Sequence, residues 1–383
     1  MLKNLSMPSL YKCTILGLIF IMPFIFVPYI PHPYEYPKFV LLIGGSFLLS
    51  FYSVFLYLKK NSTTYAFDLT DKLLCVFLLW LFLVDCIGLD PKVSLLGGEY
   101  RFQGFVAYLA LTIVYFVTRS ISVSKKTLYT FAIISLSLLS LIAFIDFVGL
   151  QLGHMVPNFQ SRVIGTMGNP NSLGIHLVLL FSLVLFCRNE TKRVDVITNI
   201  FISICVGMAV VFTDSRSALI GFVFVLVCKL LQVIYGKCGR KVLILAIGFV
   251  VLGLSLATFL YSLSVQKRMS QWDNRPQVWR YGIKSVAVRP IFGYGQENFE
   301  LIFPRELKLK VDNAHNYLLE LGVAGGLPLV ILFLFIIFSA IKQKPSLFLK
   351  IFMATFVITS FFNPISIATL VLVWGILGWE GNR

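Results

Sequence analysis

Long apolar stretches separated by short polar connections dominate the chain from end to end. A helix crossing a bilayer needs about 20 mostly apolar residues, with a working range of about 17–25. Stretches of that kind lie near 13–31, 38–58, 73–89, 102–118, 127–150, 171–187, 196–213, 216–235, 241–264, 323–341, 346–362 and 365–380. Backbone polar groups in lipid must be satisfied within the protein, which leaves helices or closed barrels. Barrel strands alternate apolar and polar positions, and a run such as Val242–Leu260 does not alternate. The predicted fold is all-α and polytopic, with about twelve transmembrane helices. It forms one integral membrane domain over 1–383, with one large outer, periplasmic loop at 265–313. Lys3 and Lys12 precede the first apolar run, but VPYIPHPYEYP follows it where a cleavage site of small residues would stand. It therefore reads as an uncleaved first span.

Composition sharpens this picture. Hydrophobic residues make up 58% of the 383 and charged residues 13%, against about 45–50% and about 25% in soluble domains. A soluble α/β enzyme, a disordered chain and a secreted disulfide scaffold are excluded. The formal charge of +16 does not imply nucleic acid, because basic residues in so apolar a chain mark cytoplasmic helix ends. Alternate connections separate them. One side carries Lys59, Lys60, Arg119, Lys125, Lys126, Arg188, Lys192, Arg193, Lys237, Arg240, Lys241, Lys342 and Lys344, while the short connections of the other hold Lys38, Lys92, Arg101, Arg162 and Arg216. The positive-inside rule places the first side and both termini in the cytoplasm, so the span count must be even. Most of the seven cysteines lie in apolar runs and read as small packing residues.

Candidate chemistry collects on the outer side. The long loop carries Lys267, Arg268, Arg275, Arg280, Lys284, Arg289, Arg305, Lys308 and Lys310. Attraction to anionic membrane lipids, a site for an anionic substrate, and plain solvation of a long loop all account for them. Other outer segments add SLLGGEYRFQG with Arg101, RVIGTMGNPNSLG with Arg162, Asn169 and Asn171, and TDSRSALIG with Arg216. The loop itself supplies NRPQVWRYG and then VDNAHNYLLELGVAGGLP, with His315 and Asn316. Asp85 and Asp146 lie near outer helix ends, where a buried charge is a functional candidate unless it reaches the interface. No glycine-rich phosphate loop, HExxH or GxSxG occurs, and no spacing suggests a metal, so neither metal nor cofactor is expected. Each candidate has a plain alternative: His315 as a helix-start residue, Arg216 as an interfacial arginine, Asn169 and Asn171 as caps around Pro170. His176 reads as a hydrogen-bonded core residue, and Tyr294 and Phe299 as packing.

The order GTMGNPNSLG, DSRSALIGF, RPQVWRYGIKSVAVRPIFGYGQENF and DNAHNYLLELGVAGGLP resembles the O-antigen ligase family. That group includes O-antigen polymerases and single-subunit oligosaccharyltransferases that modify pilins. The resemblance implies a glycosyltransferase-C-like enzyme of the bacterial inner membrane, active on its periplasmic face. Its donor would be a glycan on undecaprenyl diphosphate, and its acceptor a hydroxyl on lipid A-core, a protein or another glycan. By the same resemblance His315 would activate the acceptor hydroxyl, while Arg216 and Arg275 would hold the diphosphate. Arg101, Arg162, Asn169, Asn171, Arg280 and Asn316 would line the substrate site. The chemistry suits the residues. An unperturbed histidine has a pKa of about 6.5 and is a competent base near neutral pH, and arginine binds phosphate oxygens through a planar fork. A transporter instead predicts inverted repeats and polar groups at mid-membrane depth, and the sequence shows neither.

Overall fold

The computed structural model describes residues 9–60, 67–151, 162–187, 193–234, 275–304, 311–344 and 346–379. Among them there are helices and connections and no strand. Helices α1 (Ser9–Ile21), α2 (Glu35–Lys60), α3 (Leu69–Cys86), α4 (Pro91–Leu96), α5 (Phe105–Ser120), α6 (Lys125–Gln151), α7 (Pro170–Cys187) and α8 (Arg193–Phe212) come first. They are followed by α9 (Arg216–Ile234), then α10 (Arg275–Val288), α11 (Phe299–Ile302), α12 (Tyr317–Gln343), α13 (Leu347–Ser360) and α14 (Ile367–Gly378). The predicted span at 241–264 lies outside the described residues, as do Lys267, Arg268, Arg305, Lys308 and Lys310. Each other predicted stretch holds one of these helices. Among the described residues, five helices are long and apolar enough to cross a membrane by length and composition.

Burial sorts the helices. Helix α7 is buried on almost every face and α14 on all of it, because α7 packs against α6, α8, α13 and α14. The surrounding helices turn large apolar side chains outward: Phe47, Leu48 and Phe51 on α2, Leu138 and Leu141 on α6, and Ile197, Phe201 and Ile204 on α8. So many exposed large apolar side chains are unfavourable in water and suit hydrocarbon. The main core joins α1, α3, α5, α7, α12 and α14 through residues such as Phe77, Tyr108, Phe181, Phe333 and Trp374. One polar knot ties the bundle internally. Arg119 bridges Asp68 at 2.6 Å and Asp71 at 2.7 Å, and the Tyr115 hydroxyl donates to Asp71 at 2.9 Å.

Two departures from the predicted layout position the site. Helices α13 and α14 have 14 and 12 residues, about 20 Å at about 1.5 Å per residue. They are shorter than the bilayer core of about 30 Å, and the turn joining them contributes Pro364, Ile365 and Ser366 to a cavity wall. The described part of the long loop folds as well. Val278, Tyr294, Phe299, Phe303, Val311, Ala314 and Val323 form a second, smaller core, which seats α10 on α12.

Candidate functional site

The segment DNAHN leads into helix α12, and its local hydrogen bonds explain the composition. Asn316 caps the helix, its Oδ1 accepting from the Leu319 N–H at 3.0 Å. Four residues on, Glu320 accepts from the Ala314 N–H at 2.6 Å. The Asn313 side chain accepts the His315 N–H at 2.7 Å and donates to Asp312 at 2.6 Å. Between these contacts His315 is held at φ +51°, a left-handed conformation that a residue with a Cβ adopts at a cost and that recurs at functional sites.

A cavity of about 600 Å³ lies at this point, within the range of about 300–1,000 Å³ for small-ligand pockets. His315, Asp312 and Asn313 form one part of its wall, and Arg275 from the start of α10 another. Arg101 and Gln103 enter from the connection before α5, and Asn169 and Asn171 from the start of α7. Arg101 donates from Nε to Asp312 at 3.0 Å. Burial would raise the Asp312 carboxyl, but Arg101 and then His315 outweigh it and hold it below the usual carboxylate range. The ionised Asp312 thus sits between two groups that carry or can take positive charge. Arg275 donates to Asn363 at 3.3 Å, and Asn363 in turn donates to the Ser217 hydroxyl. That chain links the α10 arginine to the first turn of α9, where Arg216 stands.

The sequence-predicted residues therefore separate into two groups. Arg101, Asn169, Asn171, Arg275 and His315 share the cavity. Arg162 is one step removed: it donates to Asn171 Oδ1 at 3.3 Å and to the carbonyls of Thr213 and Asp214 at 3.1 and 2.8 Å. Asn169 also accepts from the N–H groups of Asn171 and Ser172, so it serves both as the cap and as part of the wall. Arg216 is partly buried at the start of α9, and neither it nor Asn316 is among the residues lining the cavity. Arg280 is exposed on α10 and is likewise outside that lining. Asp146 holds the N–H groups of Ile164 and Gly165, both at 2.9 Å, and Asp85 accepts from Gln296 N–H at 2.8 Å. Both acids fasten loops. His176 meets the Thr369 hydroxyl at 3.2 Å in the core, as its sequence position suggests.

Several lining residues carry no functional motif in the sequence, among them His32, which reads there as a loop residue. Asp312 was visible inside DNAHN, but only its pairing with Arg101 gives it a role. His32, Tyr34 and Glu35 belong to VPYIPHPYEYP, whose aromatic and proline content on an outer connection was the available signal. Glu297 accepts from the N–H groups of Gly98 and, at 2.6 Å, Gln103. Those residues bracket Arg101, so Glu297 fixes the loop that carries it. Burial pushes the Glu297 carboxyl up to about 7. Among the described residues, no group of three or more His, Cys, Asp or Glu is arranged to hold a metal ion.

Comparison with known proteins bears on this geometry. Residues 201–334 match the O-antigen ligase family, a stretch that contains Arg216, Arg275, Arg280, His315 and Asn316. The chain is also similar to the ComP-specific O-oligosaccharyltransferase of Acinetobacter baylyi (strain ATCC 33305 / BD413 / ADP1), at 26% identity over 212 residues. That alignment takes in 50% of this chain and spans 38% of the relative's length.

Proposed function

We propose, for a chain whose residues 201–334 match the O-antigen ligase family, that it transfers a glycan from undecaprenyl diphosphate to an acceptor hydroxyl outside the inner membrane. The observation that carries this reading is the shared cavity, with His315, Arg275 and the Arg101–Asp312 pair on its walls. In the proposed step His315 accepts the proton of the acceptor hydroxyl, and the oxygen forms a bond to the anomeric carbon. The bond from that carbon to the phosphate oxygen breaks, and undecaprenyl diphosphate leaves with the electron pair. Arg275, assisted by Arg216 at the neighbouring helix start, offsets the charge of the leaving diphosphate. One well-placed donor to developing charge is worth about 10²–10³-fold. Asp312 orients His315 and stabilises its protonated form. No metal or cofactor enters this scheme.

The acceptor has three readings within the family. Lipid A-core is the acceptor of a ligase. The relative from Acinetobacter baylyi is named for the protein ComP, which favours a protein hydroxyl here. Purified protein in detergent, given lipid-linked glycan from host membranes and either acceptor, distinguishes them by which one gains a glycosidic bond. A product joining two lipid-linked glycans would instead identify a repeat-unit polymerase. Movement of the glycan across proteoliposomes without any new glycosidic bond would contradict the proposal.

A further inference from the structure

Opposite chemistry occupies another part of the cavity wall. His32 and Tyr34, from the connection between α1 and α2, and Glu35, the first residue of α2, line it together with Tyr100. Their rings are braced from behind. Tyr34 stacks on Phe26 with centroids 4.9 Å apart, and a Cβ on Gly168 would come within 2.3 Å of Tyr34 Cγ. Gly168 thus lets the segment before α7 approach Tyr34 more closely than a residue with a Cβ could. His32 meets Tyr100 at 5.5 Å and Phe102 at 5.9 Å, and Phe102 stacks on Phe39 at 5.4 Å. His32 and Phe102 both adopt positive φ, +54° and +55°, so strained backbone holds these aromatic groups where they are. A rigid aromatic wall that remains 48% exposed at Tyr100 is not a packing core.

We propose that His32, Tyr34 and Tyr100, with the Glu35 carboxylate, form a subsite for a pyranose ring, the sugar attached directly to the donor's diphosphate. A pyranose presents an apolar C–H face that stacks on an aromatic ring, while its hydroxyls project around the rim toward carboxylates and amides. The wall offers both partners, since Glu35 lines the same cavity, one of its oxygens accepting from the Ile367 N–H at 3.1 Å. The order along the chain supplies the connection to the reaction: Arg101 lies between Tyr100 and Phe102. Arg101 lines the same cavity, paired with Asp312 at 3.0 Å, so a sugar ring seated against Tyr100 would have this cation near its phosphate. The volume of about 600 Å³ suits the sugar next to the diphosphate rather than a whole glycan chain.

The inference rests on the glycan-transfer reading, and its test separates the two. Binding of two lipids is measured in detergent: undecaprenyl diphosphate alone, and the same lipid bearing the glycan isolated from host membranes. Tyr34→Ala and Tyr100→Ala are expected to weaken binding of the glycan-bearing lipid about tenfold, equivalent to about 1.4 kcal/mol. Binding of bare undecaprenyl diphosphate should stay at the wild-type level, which also shows that the variants fold. Tyr34→Phe and Tyr100→Phe should retain wild-type binding, because the ring face is what acts. Equal loss for both lipids, or no loss for either, would overturn the subsite. A higher KM for the acceptor with unchanged donor binding would also overturn it, because the wall would then hold an acceptor sugar. Arg275→Ala reports separately on the functional reading: it should weaken both lipids, and unchanged binding of bare undecaprenyl diphosphate would count against the diphosphate site alone.

Discussion

Asp312 shows how one carboxylate organises the site at the scale of single residues. It accepts from Arg101 at 3.0 Å, receives the Asn313 amide at 2.6 Å, and is kept ionised despite burial by Arg101 and His315. A negative charge beside His315 favours the protonated imidazole, so removing it makes the proton easier to lose. Asp312→Asn should therefore move the acid limb of the pH–rate profile to lower pH while lowering the plateau rate. An unmoved limb would assign Asp312 to the loop alone. His315 and Arg275 were legible in the sequence because each stands inside a short motif. The Asp312–Arg101 pair was not, because the partners are 211 positions apart and no local pattern joins them. Asn169 shows the same limit in reverse: the sequence leaves capping and substrate-binding readings open, and the structure gives the cap while placing Asn169 on the cavity wall.

At the scale of elements, the break in α12 is the informative feature. Gly325 and Gly326 leave helical geometry, Gly326 at φ +70°, with Pro328 just beyond. The carbonyls released there are taken up by neighbours. Tyr294 N–H donates to Val323 at 2.9 Å, Gly295 N–H to Ala324 at 2.8 Å, and Trp80 Nε1 to Gly325 at 2.9 Å. A side chain at Gly326 would meet the Ile291 carbonyl at 2.2 Å in a conformation that already strains it. Gly326→Ala should cost more than about 1 kcal/mol of stability, read as a lower unfolding temperature in detergent. In the sequence the GVAGGLP segment stands only as the end of a longer motif. Its role depends on the 290–295 turn, which sequence periodicity does not connect to it.

Glu297 adds a pH dependence at the same scale. Its carboxyl is pushed up by burial to about 7 from an ordinary 4.5, so folding favours the neutral acid. The stabilisation is complete below about 4.5 and is lost as pH rises through about 7. Unfolding temperature should fall between pH 5 and 8, and Glu297→Gln should flatten that slope.

For the whole molecule, the layout of apolar stretches was readable because hydrocarbon imposes one length and one backbone solution on every span. Burial was less readable. Nothing in the run PNSLGIHLVLLFSLVLFC says that α7 is enclosed, whereas the similarly apolar α8 turns Ile197 and Phe201 outward. Uniform apolar composition suits either a protein or a lipid neighbour, so only the packing separates them. The shortness of α13 and α14, and the second core formed by the described part of the long loop, also depend on three-dimensional context. The positive-inside pattern predicts an orientation that labelling can check. In a background with the native cysteines replaced, Tyr29→Cys should react with an impermeant thiol reagent from outside. Lys342→Cys should react only after permeabilisation, and the opposite pattern would invert the topology.

The central claim is that His315 takes the proton of the acceptor hydroxyl during glycan transfer, and the most direct measurement is the rate of that transfer. Host membranes lacking the native protein and supplied with wild type or His315→Ala should differ by about 10²–10⁴-fold in the appearance of glycan-linked acceptor. Equal amounts of protein in the membrane, and equal binding of the lipid-linked donor, should accompany that loss. Transfer by His315→Ala at the wild-type rate would contradict the account.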